Sequence, residues 1–197
     1  AGDHATFHDL AALVHRRTGG NPLFVVNTVE YFVRYGALTE EAGQWTLQPD
    51  KIRAIGDSIP DTIRQLIARQ VERLPDTEQR VLEAASVAGA EFAVAEVAAG
   101  LQSEAAVVES VCEQLARTGQ FVRASGLAEW PDGTISGRYS FLHALYQEVL
   151  SARLAELRRV QTHRRIAERK EQGYGERASE IAAELAMHYE QGRVLTR

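Results

Sequence analysis

The chain has 197 residues, 45% hydrophobic and 25% charged, the make-up of an ordinary soluble globular protein with one large domain or two small ones. Lys plus Arg number 22 against 27 Asp plus Glu, a formal net charge of -5, which is not the basic balance of a general nucleic-acid binder. A single cysteine, Cys112, excludes an internal disulfide framework and points to a reducing, cytoplasmic compartment; no apolar run reaches the ~20 residues of a membrane span.

The chain reads as mainly helical. Phe7, Leu10, Leu13 and Val14 are spaced for a helix over 6–17. Thr18-Gly19-Gly20-Asn21-Pro22 breaks it, and Pro22 suits the first turn of a second helix, where its missing N–H costs nothing. Val26, Val29, Phe32 and Val33 form the expected stripe of that helix, and Gly36 its stop. Ala37-Leu38 and Trp45-Thr46-Leu47 flank a polar, Gly-containing turn, the pattern of a small hairpin within 37–48. Residues 49–60 are polar, contain Pro49 and Pro60, and read as a linker.

Asp61 is placed to cap the next helix, with Ile63, Leu66, Ile67, Val71 and Leu74 on one face. Further helices are expected at 77–88, at 93–99 and at 104–118, the last with Ser103 as N-cap and Val107, Val108, Val111, Cys112 and Leu115 inward. Gln120–Arg123 and Arg138–Phe141 are β-prone around an Asp132-Gly133 turn, a hairpin with a long tip. Three helices and then a hairpin is the order of a winged helix. Helical periodicity resumes over 143–154, 156–171 and 176–191, and the last two segments read as a helical hairpin that begins a solenoid.

Most candidate chemistry reduces to structure. As a DNA reader, helix 104–118 would turn Glu104, Glu109, Glu113 and Arg117 toward one phosphate charge per about 1.7 Å of duplex, and the acids repel it. His4, His8 and His15 share a rough helical face with Asp3 and Asp9 nearby, but no HExxH spacing makes them a metal set. His163 and His188 read as surface or boundary residues, and Cys112 as an inert inward thiol. Arg158, Arg159, Arg164 and Arg165 read as a solvated helix face rather than a phosphate site. Two features remain: the Gly-rich turn before Pro22, at a helix N-terminus suited to an anion or purine edge, and His143, where the hairpin's second strand enters the next helix.

Four strings carry these features in order: Arg17–Phe24, Pro60–Arg64 with Arg73-Leu74, Glu78–Gly89, and Phe141–Leu150. Together they resemble the C-terminal half of the nucleotide-binding module of STAND-type signalling ATPases. The likeness is to the bacterial branch fused to class III adenylate/guanylate cyclases, Ser/Thr kinases or LuxR-type regulators, and it covers essentially the whole chain. It implies a helical lid at 1–48, a winged helix at 61–142 and a TPR-like helical arm starting at 143–197. Gly20-Asn21-Pro22 matches the family's GxP motif, whose proline packs on adenine, and His143 falls at the histidine that contacts the β-phosphate of ADP. Leu142 and Ala144 stand where the family has a Met-type residue and an aspartate.

No GxxxxGK[ST] occurs here, and Ala1 is not an initiator methionine. The resemblance therefore implies an upstream P-loop domain that holds most of ADP/ATP and Mg²⁺, an output domain in the same chain, and no catalysis by these residues alone. ADP would latch the module through Pro22 and His143, and the arm would carry the signal or a protein partner. A protein-interaction module without nucleotide, and a DNA-binding winged-helix regulator, are the alternatives.

Overall fold

The structure, a computed structural model, describes residues 3–18, 20, 22–41, 44–48, 50–52 and 63–193. The described residues are mainly helical, with two small antiparallel sheets. They divide into two units, Ala1–Val71 and Glu72–Arg197.

The first unit runs α1 (Asp3–Thr18), α2 (Pro22–Arg34), β1 (Leu38–Glu41), β2 (Gln44–Leu47) and α3 (Ile63–Val71). Its core gathers Leu10 and Val14 of α1, Phe24, Tyr31 and Phe32 of α2, Ala37, Leu38 and Leu66. The buried face of α2 differs from the expected stripe. Val26 and Val33 are exposed, whereas Phe24, Asn27, Thr28, Tyr31 and Phe32 point inward. Positions 24, 27, 28, 31 and 32 are one helical face, but two of them are polar, so counting apolar residues turned the face by about a third of a turn. Asn27 Nδ2 is satisfied within the helix, donating to Leu23 O at 2.8 Å.

The helix ends at Arg34, and Gly36 takes φ +66°, a conformation that glycine adopts without strain. β1 and β2 form the expected hairpin, with Leu38 opposite Leu47. Asp61 and most of the 49–60 linker lie outside the described residues; 50–52 are helical and Ile52 packs on the core. In α3, Leu66, Ile67 and Val71 are buried, and the helix stops before Leu74.

The second unit runs α4 (Asp76–Ala88), β3 (Glu91–Ala93), α5 (Val94–Leu101), α6 (Ala105–Thr118), β4 (Val122–Glu129), β5 (Ile135–Phe141), α7 (Ala144–Arg153) and α8 (Glu156–Tyr174). A 3₁₀ segment, Gly175–Ile181, then leads into α9 (Ala182–Gln191), so the expected single helix over 176–191 is broken. β5 is the central strand of a β3-β5-β4 sheet. β3 has three residues, too few for a period to show in the sequence. Glu104, not Ser103, occupies the N-cap of α6, and no side chain caps that end.

Val108, Cys112 and Leu115 of α6 face the core, but Val107 is exposed. Glu109, expected outward, turns to the sheet: its carboxylate accepts from Tyr139 Oη at 2.6 Å and from Gly137 N at 3.2 Å. Burial, then the bonded carboxylate, push the Tyr139 phenol well above its ordinary range. A Cβ at Gly137 would run into that carboxylate, which would have to shift to admit it.

The hairpin tip docks on α8. Trp130 is buried, and the Arg169 guanidinium lies 4.5 Å above its ring centre. Arg169 also bonds Asp132 Oδ2 at 3.0 Å and Thr134 Oγ1 at 2.7 Å, and Asp132 N donates to Gly173 O at 3.0 Å.

Candidate functional site

The Gly-rich turn before Pro22 lies in the first unit. Gly20 takes φ +77°, a left-handed conformation that lets α1 turn sharply into α2. A Cβ at Gly20 would meet His15 Nε2 at 3.7 Å, so His15 stands over the turn. Pro22 opens α2 and is exposed, as the missing donor at a first helical position allows. Asn21 lies outside the described residues.

His143 lies in the second unit. β5 ends at Phe141, and Leu142 N is held by Phe121 O at 2.9 Å. His143 then takes extended backbone as N-cap of α7, and its Nδ1 accepts from Leu145 N at 3.1 Å. A ring that accepts at Nδ1 carries its proton on Nε2 when neutral. The exposed His143 therefore offers one outward N–H donor at the start of a helix. Neither Leu142 nor Ala144, both exposed, adds a charge beside it.

The other sequence candidates separate clearly. His8 and His15 are exposed, His4's side chain lies outside the described ones, and no group of three or more potential metal ligands occurs among the described residues. Burial, and then the nearby Glu109 charge, push the Cys112 thiol up to about 12, so it is no thiolate nucleophile. Arg164 pairs with Glu168 at 2.9 Å on the solvated side of α8, as expected of that helix face.

His163 and His188 correct the sequence reading. Both are buried, and their Nδ1 atoms meet at 2.9 Å between α8 and α9. One ring donates and the other accepts, which requires both to be neutral or only one to be charged. Burial, then the His188 ring and the Arg159 charge, lower the His163 pKa to about 4. Burial also lowers that of His188, with Glu184 opposing and Lys170 adding to the effect. His188 Nε2 is buried with no partner among the described residues.

Beside this pair lies a buried ion cluster. Lys170 of α8, 7% exposed, bonds Glu96 of α5 and Glu184 of α9, the latter at 2.6 Å. Burial alone would lower the Lys170 pKa, but the two carboxylates outweigh it and hold the ammonium above its usual range. Glu96 also accepts from Ala93 N at 3.1 Å. His163, Ile166, Ala167 and Lys170 are spaced i, i+3, i+4 and i+7, so one inward stripe of α8 mixes apolar and polar residues. Ile166 and Ala167 were the signal for that face, since polar groups flanking an apolar pair on it are carried inward.

Among the described residues no helix is long and apolar enough to cross a membrane. Comparison of the chain with protein-family models, with curated proteins and with solved structures finds no match, so its family resemblance is carried by its own sequence strings alone.

Proposed function

We propose that this chain is the regulatory portion of a multidomain signalling ATPase. It lends a helical lid and a winged helix with its hairpin wing to bound ADP or ATP, begins a TPR-like arm with its last helices, and couples nucleotide state to an output domain. The observation that carries this reading is the exposed His143 at the N-cap of α7, whose Nδ1 is used in capping and whose Nε2 is left to donate outward. A donor fixed in direction at a helix start is what a nucleotide phosphate requires. The left-handed Gly20 and exposed Pro22 support the lid contact with adenine. Mg²⁺ and most of the phosphate contacts belong to a P-loop domain upstream.

Duplex DNA fits poorly as the partner. Glu104 and Glu113 are exposed on α6 and the hairpin tip is engaged by Arg169. The alternative, an interaction module without nucleotide, draws on Leu127 and Ile135, which are 66% and 67% exposed on the hairpin.

The coding sequence upstream of Ala1 is the first test. A P-loop lysine motif within about 200–300 residues, the span of one large domain, is expected. Its absence would leave the interaction module. In the natural full-length chain, His143→Ala should speed ADP release about tenfold, the factor that one charge-assisted hydrogen bond supplies. His143→Asn keeps an N-cap acceptor but lacks the reach of Nε2, so it should release ADP as fast as the alanine variant. Unchanged ADP retention in both variants would end the latch.

A further inference from the structure

A cleft of about 190 Å³ opens in the second unit where α4, the end of α5 and the first half of α8 meet. Arg80 of α4 and Arg158 and Arg165 of α8 line it, with Gln161, Thr162 and Glu83. Arg80 and Arg158 are exposed, and among the described residues neither guanidinium has a hydrogen-bond or ion-pair partner. Arg165 donates to the Gly100 carbonyl at 3.2 Å, and no carboxylate pairs with it among the described residues. Glu83, the acid among these lining residues, is taken up by Arg153 Nε at 3.4 Å.

In a chain with a net charge of -5, three arginines from two helices share one concavity, and the carboxylate that lines it with them, Glu83, is held by Arg153. Like charges so gathered repel one another. Local helix energetics do not account for Arg158 either, because the first turn of α8 disfavours a cation.

We infer that this cleft binds a phosphoryl group. A carboxylate presents two oxygens and one charge, which a single guanidinium fork satisfies. Three forks match the three oxygens and near-double charge of a phosphate monoester or inorganic phosphate. Sites for larger ligands span about 300–1,000 Å³, so this cleft takes the phosphoryl group itself and leaves whatever carries it at the solvent-exposed rim. The site shares no residue with the nucleotide contacts proposed at Gly20, Asn21, Pro22 and His143.

The test is a titration of the 197-residue chain with inorganic phosphate at low ionic strength, followed by NMR shifts of the backbone amides of 80–84 and 154–165. Saturable one-to-one binding localised to those segments is expected, with acetate at least tenfold weaker. Arg80→Ala and Arg158→Ala remove exposed side chains and should each weaken phosphate about tenfold, the loss of one charge-assisted hydrogen bond. Arg117→Ala, on α6, should leave it unchanged. A phosphoserine peptide distinguishes the sources. Tighter binding than inorganic phosphate means that the phosphoryl group arrives on a protein segment, and equal or weaker binding means that it arrives free. Absence of saturable binding, acetate equal to phosphate, or affinity unchanged in the double variant Arg80→Ala/Arg158→Ala would each overturn the site.

Discussion

Two regions of the second unit bury themselves by opposite means. Around the three-stranded sheet the buried set is mainly apolar: Val81 and Leu82 of α4, Val97 of α5 and Val108 and Leu115 of α6, with Phe92, Phe121 and Phe141. Along α8 and α9 the buried set includes Ile166 and Leu185, but also Thr162, His163, Lys170 and His188. The first region is held by area removed from water, the second by pairs of polar groups that must all be present together. The difference teaches where each region breaks: a void in the first, an uncompensated charge or a changed protonation state in the second.

The largest effect should come from the ion cluster. Lys170→Ala leaves Glu96, 6% exposed, without its cation, and should cost about 3–5 kcal/mol in denaturant unfolding. The pairing is tested further by Lys170→Met combined with Glu96→Leu. Replacing both buried charges with apolar groups should recover part of the loss, because Glu184 is partly exposed and can turn to water, whereas the Ala93 N–H loses its Glu96 acceptor. A double variant as unstable as Lys170→Ala would mean that volume, not pairing, holds α8 to α5.

In the apolar region the order of costs should follow volume. Leu82 is fully buried, and Leu82→Ala should cost about 2–5 kcal/mol, against less than about 1.5 kcal/mol for Leu82→Met, which keeps the volume. Equal costs in the two variants would show that α4 repacks around a void, contrary to the comparison.

The histidine pair makes the second region sensitive to pH. The His163 pKa is lowered from 6.5 to about 4, so the unfolded chain binds more protons than the folded one between those values. Stability is full above about pH 6.5 and falls as pH drops toward 4. The loss between pH 7 and pH 5 should be about 2 kcal/mol for this one group. Doubly protonated rings would also bring two Nδ1 donors face to face at 2.9 Å. His163→Gln removes one of the two lowered groups and should reduce the slope of urea midpoints across that window, His188 keeping its own share; a slope equal to that of the parent chain would place the pH dependence elsewhere.

Apolar spacing made the helices around Leu10, Leu66, Leu82 and Leu115 legible in the sequence, and the Asp132-Gly133 signal marked the hairpin. Spacing failed where polar residues go inward. Asn27 and Thr28 rotated the face of α2, Glu109 turned to a tyrosine and a glycine 28 to 30 residues away, and His163 found a partner 25 residues on. None of these partners is visible to a local pattern. Of the candidate site, the sequence located the turn at Gly20 and the helix start at His143, since a glycine-proline break and a strand-to-helix junction are local signals. It did not reveal that Nδ1 of His143 is consumed by capping. Nor did it reveal that Arg80 joins Arg158 and Arg165, because 78 residues separate the first two and only the packing of α4 on α8 unites them.

The smallest effect decides whether burial is the operative variable. Arg164 lies on α8 six residues before Lys170, and it pairs with Glu168 at 2.9 Å in the i, i+4 arrangement. The chemistry of the pair matches that of Lys170 with Glu96; the exposure does not, since the Arg164 and Glu168 side chains are 66% and 47% exposed. In water the Coulomb gain is screened and offset by ordering two long side chains, so Arg164→Ala should cost less than about 0.5 kcal/mol. Raising salt should shrink even that, while leaving the Lys170→Ala cost nearly unchanged, because buried pairs are screened little. Two cations on one helix would then differ by several-fold in cost for one reason: losing Lys170 strands a buried carboxylate, whereas losing Arg164 returns one to solvent. Similar costs at the two positions would mean that α8 owes its place to its charges wherever they lie, and the contrast between the two regions would fail.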